Sequence, residues 1–169
     1  YFQPNVAKVP HVGHLRSAVI GDALKRVFLS QGYEVFSDTH IGDWGTQFGI
    51  LLNAWKGLSK KEQGNIKKDP VQGLNDLYVA ENKKIEKDPD RREEGKQEFA
   101  KLEQGDKENR KIWEWMVEVS MEEFQEIMDR LHLLSFEEHR GESVYEDAMP
   151  PLVARALKEG VAIKNEGAV

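Results

Sequence analysis

The sequence contains no cysteine, which excludes disulfide bonds and thiolate metal sites. It has no apolar run near the ~20 residues that a membrane-spanning helix needs. Its first residues have neither the charged nor the apolar region of a secretory signal peptide. We therefore expect a protein that does not enter a membrane, and the absence of thiols fits the reducing conditions of the cytoplasm.

An excess of basic residues is also missing. The formal net charge is −6, from 24 Lys and Arg against 30 Asp and Glu, and this sign does not suit a protein that grips nucleic acid with its whole surface. Any contact with nucleic acid must therefore be local. The lysine pairs between residues 60 and 84 favour a solvated helix face, with nucleic-acid contact as the alternative.

The chain begins without Met and has 169 residues, enough for one domain, or one domain with an insertion, that buries its own core. Residues 165–169 contain a Gly-bearing turn, which predicts that a returning strand follows. We interpret the sequence as a piece of a longer protein.

One loop combines several residues suited to binding phosphate. His11 and His14 flank Gly13, and Lys8 precedes them in the same loop. A helix predicted over residues 14–31 starts at once, so its unpaired N–H groups and positive dipole end point at the loop. Donors of this kind stabilise the charge that develops when a nucleoside triphosphate is broken at its α-phosphate. Helix capping or a fortuitous metal contact is the alternative explanation of two histidines at such spacing.

The predicted elements indicate an α/β fold with a parallel sheet. The helix over 14–31 carries an apolar face expected to pack, and strands are predicted over 33–38, 133–136 and 161–164. Further helices are predicted over 44–56, 75–87, 90–103, 106–131 and 147–159. The last is expected to have Asp147 as N-cap, a buried face over residues 152–157 and Gly160 just after its C-terminus. The lysine- and glutamate-rich composition after Gly57 predicts a helical insertion, whose long final helix has an apolar stripe for packing.

A second loop, residues 40–49, precedes the helix over 44–56 and should leave the same end of the sheet as the first. Its polar side chains are expected to cap that helix and support ligand-contacting residues from behind, with direct contact to a ligand as the alternative; they are His40, Asp43 and Gln47. Trp44, Phe48, Trp113 and Trp115 are expected to be packing residues.

Three stretches resemble the arginyl-tRNA synthetases, a family of class I aminoacyl-tRNA synthetases, in order and spacing. They are residues 4–17 with the HxGH pattern, residues 40–49 with the run GDWGTQFG, and residues 141–145 with GESVY. The first resembles that family's form of the HIGH signature, and the second is characteristic of the arginine enzyme among its relatives. The resemblance covers nearly the whole chain, although residues 57–109 match only in character.

The resemblance implies the first half of a Rossmann-like (HUP-type) nucleotide-binding domain over residues 1–56, a mainly helical insertion over 57–131, and the start of the returning α/β part over 132–169. It implies a ligase that uses ATP, with Mg²⁺, to convert L-arginine to arginyl-adenylate and passes the arginyl group to tRNA(Arg). A monomer is the simplest expectation. The fragment alone should be inactive or very weak, because no KMSKS-type loop, guanidinium-binding acidic residues or anticodon-binding domain is recognisable in it.

The resemblance also implies roles for individual residues. The expected catalytic residues are His11, His14 and Lys8. The residues expected to contact ATP are Lys8, His11, Gly13 and His14, with Gly13 under the adenine. The residues expected to line the arginine pocket are Gln3, Pro4, Asn5 and His14. No side chain is expected to hold a metal of its own.

Two other functions remain open from the residues. A stand-alone HxGH-type adenylyltransferase acting on a small phosphorylated substrate would account for the first loop, but it has no need of the second loop or of the long helix. A non-catalytic helical interaction module would account for the apolar stripe on that helix.

Overall fold

The structure, a computed structural model, describes residues 1–165 and 169. Its elements in chain order are α1 (Val12–Ser30), β1 (Asp38–Ile41), α2 (Thr46–Lys56), α3 (Lys60–Ile66), α4 (Pro70–Ile85), α5 (Asp90–Glu103), α6 (Lys107–Arg130), β2 (Glu138–Gly141), a 3-10 helix (Glu142–Tyr145) and α7 (Met149–Lys158). No helix within this described part is long and apolar enough to cross a membrane.

A small parallel sheet lies at the centre of the α/β part. β1 pairs with β2 in parallel, from Asp38 opposite Glu138 to Ile41 opposite Gly141. On the other side of β1, Asn5 forms a parallel bridge to Gly42. The amino-terminal segment, α1 and β1 therefore form the expected parallel unit, and the mixed architecture is that of a partial Rossmann-like domain.

The strands predicted over 33–38, 133–136 and 161–164 are wrong. The alternating apolar residues of the first lie in open chain, with Tyr33 62% and Phe36 68% exposed, and the ladder starts only at Asp38 and Glu138. Residues 161–164 are also open chain. A strand needs a hydrogen-bonded neighbour, and local alternation carries no information about which neighbour the chain meets.

Helix α1 has the position expected of it but not the expected buried face. Its buried residues are Ala18, Asp22 and Lys25. Its apolar stripe is 40–57% exposed, and the prediction that it packs is wrong for the described residues; the stripe consists of Leu15, Val19, Ile20, Leu24, Val27 and Phe28. The inward face is polar because hydrogen bonds satisfy it: Asp22 accepts from the Leu134 N–H at 2.7 Å, and the Lys25 ammonium donates to the Ser135 carbonyl at 2.7 Å.

Helices α2 to α6 form the helical part of the molecule. Within it, α2 contacts α4, α5 and α6. Its closest approach is to α5, where Gly49 faces Gly95 backbone to backbone. The predicted helices over 90–103 and 106–131 are confirmed almost to the residue, and the stripe on α6 packs into the core through Met116, Phe124 and Met128. Helix α3 was not predicted, although its capping box, Ser59 with Glu62, is legible in the sequence.

Helix α7 begins later than expected, and Asp147 is not its cap; Ala148 holds that position without a side-chain hydrogen bond. Gly160 ends it in the left-handed conformation, at φ +72°, as predicted. None of its residues is buried, so the expectation of a buried face over 152–157 is wrong. The turn expected over 165–169 lies mostly outside the described residues.

Candidate active site

Three chain segments meet at the carboxyl end of the sheet. The Val6 N–H donates to the Gly42 carbonyl at 2.9 Å, and the Gly42 N–H donates to the Pro4 carbonyl at 3.3 Å. Gly141 ends β2 opposite Ile41. All three stretches quoted from the sequence, starting near residues 4, 40 and 141, therefore leave the same edge, which is where open parallel sheets bind ligands.

The paired histidines form the amino-terminal cap of α1. The Gly13 N–H donates to Nδ1 of His11 at 3.1 Å, and the His11 N–H donates to Nδ1 of His14 at 3.1 Å. The rings lie 4.0 Å apart, centroid to centroid. A nitrogen that accepts a hydrogen bond carries no proton, so in each neutral ring the proton lies on Nε2. The cap thus turns both imidazoles into Nε2–H donors.

The surroundings of the His14 ring favour its neutral form. Burial lowers the pKa of the His14 imidazole, and the charge of the adjacent His11 lowers it further. Two imidazolium rings at this separation would repel each other, which acts in the same direction. The site therefore offers hydrogen-bond donors from its rings, together with the positive end of α1.

Gly13 allows the His11 ring to fold over the first turn. A Cβ at this position would lie 2.9 Å from Cε1 and 3.1 Å from Nδ1 of His11. Any side chain here would push the ring away from the Gly13 N–H. Contact of this glycine with adenine remains a prediction.

The residues before the loop alternate between the core and solvent. Phe2, Pro4 and Val6 are buried, whereas Gln3 and Asn5 are exposed, as in any extended chain with one buried side. The Asn5 carboxamide lies against Gly42, where no Cβ intervenes. Gln3 and Asn5 therefore both face solvent, whereas Pro4 lies on the opposite, buried side of the chain.

Lys8 does not point at the histidines. Its ammonium lies over the ring of Tyr78 on α4, 5.0 Å from the ring centroid. A cation–π contact of this kind contributes about 0.5–1 kcal/mol near a surface. The Lys8 side chain thus rests on helix α4, and moving it away from Tyr78 costs little free energy.

Asp43 supports the second loop and does not cap α2. Its buried carboxylate accepts hydrogen bonds from the Ser143 N–H at 2.8 Å and from the Ser143 hydroxyl at 2.6 Å. The N-cap of α2 is Gly45, which has no side-chain cap bond. Asp43 therefore ties residues 42–45 to the start of the 3-10 helix across the sheet edge.

The other polar residues of the second loop make local contacts. Gln47 Nε2 donates to the Trp44 carbonyl at 3.2 Å. The His40 ring lies 5.6 Å from that of Tyr145. Phe48 is fully buried and Trp44 packs on the core, as predicted. Whether His40, Asp43 and Gln47 act on bound ligands stays a prediction.

Helix α6 braces both loops through contacts that the sequence did not reveal. Trp113 was expected to pack and does, against Trp44, but its Nε1–H also donates to the Asp43 carbonyl at 2.7 Å. Ser120 accepts a hydrogen bond from the Ala7 N–H at 3.0 Å. Neither pairing has a local sequence signal, because the partners lie 70 and 113 residues apart.

Two clefts adjoin these loops. One of about 450 Å³ lies between His11 and the end of α6 and is mostly apolar. Another of about 550 Å³ lies beside Gly45 and is lined by aromatic and acidic side chains, including Trp44 and Glu142. In residues 1–165 and 169, no group of three or more His, Asp or Glu side chains is arranged to hold a metal ion.

Comparison with known proteins adds to this geometry. The family model for the catalytic domain of class I tRNA synthetases (R) matches residues 1–169. The arginine–tRNA ligase of Oenococcus oeni is 42% identical over 165 residues, and that of Lactococcus lactis subsp. lactis is 40% identical over 166 residues; each match covers 98% of this chain and 29% of the ligase. The crystal structure of arginyl-tRNA synthetase from Plasmodium falciparum matches with a TM-score of 0.72 and 34% identity, covering 99% of this chain and 27% of that one. The chain thus spans under a third of the length of these relatives.

Proposed function

Because this chain belongs to the catalytic-domain family of class I arginyl-tRNA synthetases, we propose that it is the amino-terminal part of an arginine–tRNA ligase. The whole enzyme joins L-arginine to ATP, forming arginyl-adenylate and pyrophosphate, and then transfers the arginyl group to tRNA(Arg). Its place of action is the cytoplasm, and its simplest state is a monomer. The exposed apolar stripe of α1 fits this proposal, since a longer protein can cover it.

The observation that carries the proposal is the pair of Nε2–H donors at the start of α1. In the first reaction a carboxylate oxygen of arginine attacks the α-phosphorus of ATP while the bond from that phosphorus to the bridging oxygen of pyrophosphate breaks. Negative charge grows on the leaving oxygen and on the α-phosphate. The imidazoles of His11 and His14, together with the helix N-terminus, are oriented before the reaction to stabilise that charge.

The open side of the sheet edge supplies the other half of the arrangement. Gln3 and Asn5 contact arginine, with Pro4 as the wall behind them and His14 between the two substrates. The backbone on either side of Asn5 is hydrogen-bonded to Gly42, so the main chain from which its side chain extends is fixed without ligand. With arginine on Gln3 and Asn5 and ATP beyond His14, the carboxylate of arginine and the α-phosphate of ATP lie next to each other.

Lys8 and Gly13 complete the ATP side. The Lys8 ammonium leaves Tyr78 and pairs with phosphate, since attraction to a polyphosphate exceeds one exposed cation–π contact. The Gly13 backbone faces the adenine. The donors present are cationic or N–H groups, which suit phosphate oxygens. Mg²⁺, which these residues do not hold themselves, would be carried by ATP and would offset further phosphate charge.

Arginine-dependent exchange of pyrophosphate into ATP tests the proposal. In the full-length enzyme, His11→Asn should lower kcat by about 100- to 1000-fold, the usual cost of removing one preorganised transition-state donor. Asn is itself a good N-cap, so helix α1 should remain intact. His132→Asn is the matched control, because His132 is an exposed residue after α6 whose left-handed backbone (φ +53°) also suits Asn.

Two outcomes count against the proposal, and a third counts against the expectation for the isolated fragment. A wild-type exchange rate in His11→Asn would show that the His11 imidazole does not take part in the reaction. Adenylylation of a phosphorylated small molecule without arginine would favour a stand-alone adenylyltransferase. Robust exchange by residues 1–169 alone would contradict the expectation that the fragment is inactive or very weak.

A further inference from the structure

Ala7 has a backbone conformation that alanine rarely adopts. Its φ is +59°, in the left-handed region where a Cβ crowds the neighbouring carbonyl. The residue is fully buried and lies between Asn5 and Lys8. Strained residues of this kind persist only where surrounding contacts hold them, and they gather at functional sites.

The contact that holds Ala7 comes from the helical part. The Ala7 N–H donates to Oγ of Ser120 at 3.0 Å, and the Ser120 hydroxyl donates in turn to the Met116 carbonyl at 2.7 Å. Because the hydroxyl proton is used by Met116, the Ser120 oxygen is left as an acceptor. Ala7 and Ser120 are both completely buried, so water cannot replace either bond.

This bond acts on one part of the loop only. Asn5 is already fixed by the hydrogen bonds that Pro4 and Val6 make to Gly42. Ser120 fixes the next peptide plane, and the left-handed turn at Ala7 then sets the direction in which the chain continues to Lys8 and His11. Losing the bond should therefore disturb the ATP side of the site and spare the arginine side.

We propose that Ser120 is a positioning residue for the adenylation reaction, which holds Ala7 in the left-handed conformation and thereby places Lys8 and the histidine pair relative to Asn5. This inference rests on the proposed function. It links helix α6 of the insertion to chemistry at the sheet edge through a single buried hydroxyl.

The test uses the full-length ligase with Ser120→Ala, which removes the acceptor. We expect kcat for arginine-dependent ATP–pyrophosphate exchange to fall about 10- to 100-fold, as for a displacement of about 1 Å at a reacting group, with KM for ATP raised and KM for arginine within about twofold of wild type. Ser120→Cys takes its place if the alanine variant unfolds, because the thiol nearly preserves volume and is only a weak acceptor.

The matched control is Asn109→Ala on the same helix. Asn109 is also fully buried, but its amide donates to Glu98 on α5, at 2.9 Å to the carbonyl and 3.0 Å to the carboxylate, away from the loop. This variant should lower the melting temperature while kcat of the folded enzyme stays at the wild-type value.

Rescue separates positioning from simple loss of stability. Gly adopts a positive φ without steric cost, so Ala7→Gly added to Ser120→Ala should recover part of kcat. The inference is overturned if Ser120→Ala or Ser120→Cys keeps wild-type kcat, or if Ala7→Gly gives no recovery. If wild-type enzyme shows no arginine-dependent exchange, the proposed function itself has failed, which is a different result.

Discussion

Gly42→Ala should weaken the use of arginine without unfolding the protein. Gly42 does not have a left-handed φ, so alanine fits its backbone. The added Cβ would overlap Oδ1 of Asn5 and come within 3.0 Å of its Cγ, while the nearest backbone atom, Cα of Asn5, is 3.6 Å away. All of the crowding therefore falls on the end of one exposed side chain.

Gly42→Ala makes two small contributions to the free energy of unfolding, and they have opposite signs. Moving the Asn5 carboxamide off its preferred rotamer costs about 0.5–1.5 kcal/mol, and replacing Gly by Ala restricts the unfolded chain and returns about 0.4–1 kcal/mol. The melting temperature should thus change by no more than about 2–4 °C. The displacement itself is about 1 Å, enough to reduce kcat/KM for arginine by about 100-fold if Asn5 orients the substrate.

The assay is ATP–pyrophosphate exchange by the full-length enzyme with arginine varied at saturating ATP, alongside thermal unfolding. Asn5→Ala combined with Gly42→Ala should behave like Asn5→Ala alone, since the added Cβ then has nothing to displace. Gly64→Ala, where a Cβ meets no atom within 4 Å, is the neutral control. Unchanged arginine kinetics in Gly42→Ala, or a loss of more than about 5 °C, would refute the reasoning.

Other changes test the packing. Gly49→Ala places a Cβ on the carbonyl of Gly95, so α2 and α5 must separate. The free energy of unfolding should fall by about 1–3 kcal/mol, and an unchanged melting curve would contradict this contact. The Lys25 ammonium, together with hydrogen bonds from the Ser37 hydroxyl and N–H, lowers the pKa of the Glu137 carboxyl from 4.5 to about 2. Stability should therefore be lost as pH falls from about 4.5 to about 2, since the unfolded state takes up the proton first; Lys25→Met should flatten that loss in an acid titration followed by circular dichroism. Leu24→Glu on the half-exposed stripe should leave stability of the isolated chain within about 0.5 kcal/mol and reduce binding of a hydrophobic dye; a large loss of stability would show that Leu24 is packed.

The helices were largely predictable because their signals are local. The N-cap Asp106 accepts hydrogen bonds from the N–H groups of Glu108 and Asn109. The helix that follows, α6, carries a regularly spaced apolar stripe. A helix closes its hydrogen bonds within four residues, so such patterns determine it almost alone. The packing role expected for Trp115 follows from the same periodicity.

The strands were not predictable from the same reasoning. β1 and β2 have four residues each, and the partners of the ladder, such as Thr39 and His139, lie 100 residues apart. Alternation at Tyr33 and Phe36 gave a false signal, because it describes side chains and not the neighbour that a strand requires.

By itself, the sequence determined the family resemblance, the helical elements and the residue types of the candidate site. Only the tertiary structure decided that the third motif-bearing segment, at Gly141, joins the first two at one sheet edge, that Asp43 binds Ser143, and that Ser120 holds the left-handed Ala7. The physical reason is the separation in sequence between the residues that bond to each other. Helix and cap hydrogen bonds join near neighbours in the chain, whereas strand pairing and buried side-chain bonds join residues whose meeting depends on the whole fold.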